Sequence, residues 1–473
     1  MDYDKCLDIL YQTEEDIWVS KVNEMRLDGR LCDWVTSLLP GQGSYRLDGG
    51  FMNGSYNLCQ KLRSDNGSTI LLRLPRVSSI SASYANEKVV MELEAIDLIR
   101  KKTTIPVPQI HVWGLAETNP LGLGPFILME FIEGVCLKEL FLGGSRLLRE
   151  EVSDRDVECI YRQMANFMLQ LFNIDFPDIG SLPTPFTGFC APTRPLTWKA
   201  HDILKSGGVN IFGDRAQGFL TTNDYFQYVI GQDELQLDNQ LNLVTGDMNA
   251  ESRFGSLKIL KSMIPEMVNE SYNQGPFKLI CDDFSPANVI VKGEHNLTIV
   301  GVVDLEWVYV GLAQLFASAP WWLLLDRPVN EDWDFKAGQP PKITDRYFRH
   351  LKMFKRILSE EEEKMPEHYS KEVSKLMTWS EDSGAMWLYM LLSSGFFDWF
   401  TFPCMHLRER VGVAEWRDQI NAQKGMKEFV ARKIRDLEAY DEKVDKVEHN
   451  KTLLASGALT KEEFIAAVRA IIS

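Results

Sequence analysis

The chain has 473 residues, 45% of them hydrophobic, and its 51 Lys and Arg against 67 Asp and Glu leave a net charge of −16. That length and apolar content suit two or three lobes with substantial cores. So acidic a chain argues against nucleic-acid binding, because phosphates would be repelled, and is compatible with a cationic small-molecule partner. The eight cysteines, spread from Cys6 to Cys404, form neither a C-x-x-C pair nor a short disulfide framework, so reduced thiols are expected. The N-terminal stretch MDYDKCLDILYQTEEDIW has neither a basic region nor an apolar run of secretory type, and a cytoplasmic location is the expectation. The most membrane-like run, Met386 to Phe402, is interrupted by Ser393, Ser394, Gly395 and Asp398 and reads as a buried helix with a break, so no membrane association is expected.

Residues 1–44 carry helical spacing, with Leu7, Leu10 and Tyr11 followed by Leu31, Trp34, Val35, Leu38 and Leu39, and Pro40-Gly41 closes them. Such a stripe needs a surface to cover, so a helical cap is expected. From Tyr45 the period changes to two: Ser55 to Leu62 and Thr69 to Leu74 read as antiparallel strands about the turn Ser64-Asp65-Asn66-Gly67. Before the second strand lies Gly49-Gly50-Phe51-Met52-Asn53-Gly54-Ser55, whose small residues let backbone N–H groups approach an anion closely. The strand Leu71-Leu72-Arg73-Leu74 then sets one cation among apolar neighbours. A helix over Tyr84 to Lys102 offers Glu92 and Glu94, either of which can pair with Arg73 and aim its guanidinium at phosphate oxygens. After Ile105-Pro106-Val107-Pro108, two further strands are expected at Gln109 to Trp113 and Pro125 to Glu130.

The remainder reads as mostly helical, with a strong amphipathic helix at Arg149 to Phe172, core helices at Trp321 to Leu325 and Trp387 to Leu392, a charged solvated helix at Glu428 to Val447 and a short one in 457–473. Within it Phe277 to Trp307 returns to strand: Val289 to Val291 and Leu297 to Val303 flank a polar tip at Lys292 to Asn296. Asp283, Asn288, Asp304 and Glu306 sit at the mouths of these strands. Carboxylates and a carboxamide so placed can hold a hard cation by oxygen and leave one carboxylate free to take a proton, a combination suited to phosphoryl transfer.

In order, GGFMNGSYN, LLRLPR, IPVPQI, FILMEFIEG, RPLTWK, CDDFSPANVIV, VVDLEWVYVG and APWWLLLDRP resemble the aminoglycoside phosphotransferase and choline kinase family of the protein-kinase-like fold, in particular its fungal branch. The resemblance spans Tyr45 to Pro328. It implies an α+β bilobal fold: a helical extension at 1–44, an antiparallel-sheet nucleotide-binding lobe at 45–133, a mainly helical lobe at 134–440 and a helical tail at 441–473. It further implies an ATP- and Mg²⁺-dependent kinase acting on the hydroxyl of a small molecule. Asp283 then matches the catalytic base, Asn288 and Asp304 the Mg²⁺ ligands with Glu306 beside them, and Arg73 with Glu92 the phosphate-binding pair. Gly50, Asn53, Gly54 and Ser55 match the loop over the phosphates, and Glu130 to Ile132 the hinge that reads adenine. Two departures stand out: Cys281 occupies the position usually held by the loop histidine, and Arg73 replaces a lysine. They motivate the alternative of a pseudokinase that serves as a nucleotide-binding or interaction module.

Overall fold

The computed structural model describes residues 3–144, 146–329, 333, 341–393 and 397–473. α1 (Lys5–Leu27) starts at Asp4, whose carboxylate accepts from the Cys6 and Leu7 amides, and α2 (Arg30–Leu38) follows Gly29, which adopts the left-handed conformation open to glycine. Next come β1 (Tyr45–Asn53), β2 (Asn57–Ser64), β3 (Thr69–Pro75), α3 (Ala85–Lys102), β4 (Ile110–Gly114) and β5 (Phe126–Glu130). The five strands make one antiparallel sheet in the order β1-β2-β3-β5-β4.

Alternation along β3 decides what each face meets. Ile70, Leu72 and Leu74 pack with Leu58 and Leu62 against Trp18, Val22 and Met25 of α1 and Trp34 and Val35 of α2. Leu71 packs on the other face, where Val89 and Leu93 of α3 meet Ile127 and Met129. Arg73, in phase with Leu71, therefore points towards α3. The N-terminal residues do act as a cap on the sheet, and α1 also reaches beyond it: Cys6, Ile9 and Leu10 at its other end pack with Tyr440, Val447, Phe464 and Val468.

The larger lobe contains β6 (Val135–Cys136), α4 (Leu137–Phe141), α5 (Asp154–Phe172), β7 (Asp175–Phe176), α6 (Trp198–Gly207), α7 (Thr222–Asn239), α8 (Asp247–Met263), β8 (Phe277–Cys281), β9 (Val289–Gly293), β10 (Asn296–Val302) and β11 (Val308–Gly311). It continues with α9 (Ala313–Phe316), α10 (Ile343–Lys364), α11 (Glu372–Ser383), α12 (Ala385–Leu392), α13 (Phe402–Val411), α14 (Val413–Asn421), α15 (Met426–Ala455) and α16 (Lys461–Ile472). Two small sheets, β10-β9-β6 and β11-β8-β7, are embedded among these helices. One apolar core joins α5, α10 and α12 to them through Met164, Phe354 and Leu388 against Leu279, Val289 and Val291. The architecture is the expected α+β one, an antiparallel-sheet lobe followed by a larger, mainly helical lobe.

Several expectations change in detail. α5 begins at Asp154, because the Ser153 hydroxyl caps it by accepting from the Asp156 amide. Trp321 to Leu325 is one 3₁₀ turn over Trp321–Leu324, ended by Leu325 in the left-handed region. The boundary at 440 falls inside α15, one continuous helix. Nor is that helix solvated all round, since Phe429, Val430, Lys433, Tyr440 and Val447 form a buried face that its charged residues mask in composition. α12 stops at Leu392, and the centre of the expected break, 394–396, lies outside the described residues. Among the described residues no helix is long and apolar enough to cross a membrane.

Candidate active site

β8 ends at Cys281, paired with Val308 of β11, and the chain turns through Asp282 to Ser285 into a 3₁₀ turn at Pro286–Asn288. The Val303 amide, just past β10, donates to the Asn288 carbonyl at 3.0 Å, which brings the next residue, Asp304, close to Asn288. Asp304 and Trp307 both have positive φ, 57° and 59°, so two left-handed residues bracket Leu305-Glu306. Such conformations cost energy for side chains other than glycine and persist where surrounding structure enforces them. The Asn288 Nδ2 donates to Asp283 Oδ2 at 2.7 Å and to the Asp283 carbonyl at 3.0 Å. Burial pushes the Asp283 carboxyl up to about 6, against the opposing Arg327 charge and the Asn288 hydrogen bond. Burial likewise pushes Asp282 up to about 7.

Arg73 meets three carboxylates: Glu92 at 2.5 Å, Asp304 at 2.7 Å and Glu306 at 3.3 Å. The choice between Glu92 and Glu94 is settled by their partners, for Glu94 instead accepts from the Phe186 and Thr187 amides at 3.2 and 2.7 Å. Glu306 is further paired with Lys88 of α3 and accepts from Asn57 Nδ2 at 3.0 Å. Although burial acts to raise it, Lys88 and Arg73 hold the Glu306 carboxyl below its ordinary value. Arg73, Lys88, Glu92 and Glu306 have side chains 5, 1, 1 and 7% exposed, two cations against two anions, so the buried cluster is neutral. Asp304 is the surplus charge and is 43% exposed.

This arrangement separates the predicted metal set. Asn288 and Asp304 lie adjacent, and because the Asn288 amide nitrogen is taken by Asp283, its side-chain oxygen is the atom left for coordination. Glu306 is committed to cations inside the protein. Among the described residues no group of three or more His, Cys, Asp and Glu is placed to hold a metal. Two protein oxygens fit a Mg²⁺ that completes its shell with phosphate and water rather than with a protein cage. Sequence reasoning missed Lys88 and Asn57; the available signal was Lys88 one helical turn before Glu92, an i,i+4 pair facing the same side.

The glycine-bearing segment divides as well. Gly50 sits in the irregularity between Leu47 and Phe51 of β1, while Asn53 pairs with Leu58. The tip proper is Gly54-Ser55-Tyr56, closed by the Gly54 amide on the Asn57 carbonyl at 3.0 Å. Tyr56 accepts from Trp198 Nε1 of α6 at 2.6 Å and packs edge-on to Trp307 with centroids 5.3 Å apart. At the end of β5, where the hinge was expected, the Glu130 amide donates to the Gln109 carbonyl at 2.8 Å, and Ile132 rests on Gly301 of β10. A Cβ at Gly301 would lie 2.7 Å from Ile132 Cδ1, so glycine lets the segment after β5 approach β10 this closely.

No protein-family profile matches the chain. It is 31% identical over 150 residues to a subtelomeric hrmA-associated cluster protein of Aspergillus fumigatus, covering 32% of this chain and 25% of that one. It is 27% identical over 280 residues to altered inheritance of mitochondria protein 9 of Candida dubliniensis, covering 51% of this chain and 44% of that one. The chain thus matches less than half the length of these relatives. Among solved structures, an aminoglycoside phosphotransferase-like protein of Ralstonia eutropha aligns over 86% of this chain and 97% of its own at 12% identity, with a TM-score of 0.44. The expected cytoplasmic location is corrected by the relatives, whose name in several yeasts is that of a mitochondrial protein. Free cysteines report on redox state, which several compartments share, so they could not fix the compartment. The chain has an α+β bilobal fold, a five-stranded antiparallel sheet beside a mainly helical lobe, and its motifs resemble those of the aminoglycoside phosphotransferase and choline kinase family.

Proposed function

We propose that this protein is an ATP- and Mg²⁺-dependent phosphotransferase acting on a hydroxyl group of a small molecule. One observation carries the reading: Asp283 is held by Asn288 next to Asp304, and Asp304 is in turn held by Arg73. On this reading these residues are a base, two oxygen ligands and a phosphate-binding cation, and their proximity supports it. In this reading Arg73, braced by Glu92, supplies positive charge beside Asp304 that draws the nucleotide phosphates. Asn288 and Asp304 would hold a Mg²⁺, which when bound would supply charge neutralisation on those phosphates. Asp283, with its carboxyl near 6, is mostly ionised at neutral pH and accepts the proton of the acceptor hydroxyl. Glu306 ties α3 and β2 to the Asp304 segment through Lys88 and Asn57 and takes the role of a positioning residue. The −16 net charge is compatible with a cationic acceptor.

The test is Asp283→Asn, with ATP, Mg²⁺ and a metabolite extract searched by mass spectrometry for phosphate-sized mass gains. Transfer should fall by orders of magnitude while nucleotide affinity stays nearly constant; transfer at the wild-type rate would remove Asp283 as the base. The Tyr56–Trp198 closure of the hairpin tip favours a second reading, a nucleotide-binding module without turnover. Under that reading Mg·ATP stabilises the fold and no phosphorylated product forms.

A further inference from the structure

The catalytic loop lacks the histidine that the resemblance places two residues before the base. A thiol is a weak hydrogen-bond donor, and Cys281 is a neutral one, its thiol pushed up to about 12 by burial and then by the neighbouring Asp282 charge. Some other group must fix the peptide that enters Asp283. We propose that Arg327 is this positioning residue, clamping the catalytic loop from its N-terminal side in place of the absent histidine; the inference rests on the phosphotransferase reading above. Arg327 NH2 donates to the Asp282 carbonyl at 2.7 Å. That oxygen belongs to the peptide unit joining Asp282 to Asp283, so fixing it fixes the direction in which the Asp283 side chain leaves the backbone.

The clamp has a rigid base. Arg327 follows the turn Trp321–Leu324, which is pinned to the larger lobe by the Leu148 amide on the Leu324 carbonyl at 2.9 Å and by the Tyr161 hydroxyl on the Leu323 carbonyl at 2.5 Å. Its guanidinium lies 4.1 Å from the Trp321 ring centroid and 5.3 Å from that of Trp198. Cation–π contact on Trp321 limits the rotamers of a long side chain, so less order has to be imposed when the hydrogen bond forms. On the other side of the base, Asn288 holds both the carbonyl and the carboxylate of Asp283. Asp283 is thus gripped on both flanks, and Trp198 links the same clamp to Tyr56 at the tip of the glycine-bearing hairpin.

The experiment compares the full chain with Arg327→Met, Arg327→Lys and, as a milder variant that keeps the guanidinium but removes the ring beneath it, Trp321→Leu. Two readouts are taken: amide hydrogen exchange of the peptide covering 281–288 without nucleotide, and acceptor-free hydrolysis of Mg·ATP. Arg327→Met should speed exchange at 282–285 about tenfold while leaving β8 protected, because only local opening is changed. It should lower kcat by roughly 100-fold, as expected for a base displaced by about 1 Å, with the KM for ATP within about twofold. Arg327→Lys retains a donor and should recover most of the kcat, a rescue that a purely structural role would not show. Unchanged exchange in Arg327→Met, or a KM that rises as much as kcat falls, would overturn the clamp. Trp321→Leu should move both readouts in the same direction by a smaller factor, and decides the matter if Arg327→Met does not fold. Asp283→Asn is run alongside: if it hydrolyses ATP like wild type, the phosphotransferase reading fails while the exchange data still decide the clamp.

Discussion

Replacing Lys88 by Met tests whether the buried charges behind Asp304 form one balanced unit. Lys88 is 1% exposed and its partner Glu306 is 7% exposed, so the substitution strands a buried carboxylate on Arg73, whose contact with Glu306 is 3.3 Å and which already serves Glu92 and Asp304. Breaking one side of such a pair typically costs about 3–5 kcal/mol, since the desolvated partner loses its compensation. Glu306→Gln strands the ammonium instead and should cost a similar amount. The double variant removes both charges, keeps Asn57 with an amide partner, and should recover at least half of the summed loss; the coupling is read from denaturant midpoints of the four proteins. Anion affinity separates the two single variants. Lys88→Met leaves three carboxylates on one cation and should weaken Mg·ATP binding, whereas Glu306→Gln leaves two cations against two carboxylates and should not. A Lys88→Met protein as stable as wild type, or additive losses in the double variant, would refute the idea of a closed neutral cluster.

Asp282 gives a pH-dependent prediction. Its folded-state carboxyl is raised to about 7, so the native state holds a proton that the unfolded chain releases near the ordinary value of 3.8, and wild-type stability is lost as pH rises between them. Asp282→Asn should therefore match wild type near pH 4 and exceed it at pH 8, by at most about 4 kcal/mol because each tenfold change in proton affinity is worth about 1.4 kcal/mol, in urea unfolding at the two pH values. Asp304→Asn should abolish the Mg²⁺-dependent part of ATP stabilisation, which for wild type at 100 times Kd is about 2.7 kcal/mol by thermal shift. Gly301→Ala drives a methyl group against Ile132 at the hinge and should cost about 1–3 kcal/mol by denaturant unfolding, with weakened nucleotide binding by calorimetry.

Much of the site was legible because its logic is local. A period of two in β3 put Leu72 and Leu74 on one face and Arg73 on the other, which is why Arg73 meets α3. The spacing of Asp283 and Asn288 sufficed for a turn that hydrogen-bonds back on itself. Glu306 was misleading for the opposite reason: two residues from Asp304, it reads as a second ligand, and only the fold brings it Asn57 and Lys88 from far earlier in the chain. Burial, not residue type, decides whether a carboxylate faces a metal or an ammonium. α15 was read from its charge density, which hid the buried side formed by Phe429, Tyr440 and Val447. The compartment was illegible because cysteine usage reports on redox state, which several compartments share.

The span of α1 sets how the two lobes can move. Its 23 residues make a rod of about 35 Å at 1.5 Å per residue. The end bearing Trp18, Val22 and Met25 is sunk in apolar contacts with the sheet, whereas the other half meets α16 through the exposed pairs Glu14–Arg469 and Asp16–Lys461 as well as a small apolar patch. Exposed pairs contribute little and exchange partners readily, so any displacement of the sheet against the larger lobe would carry the rod with the sheet and shear it along α16.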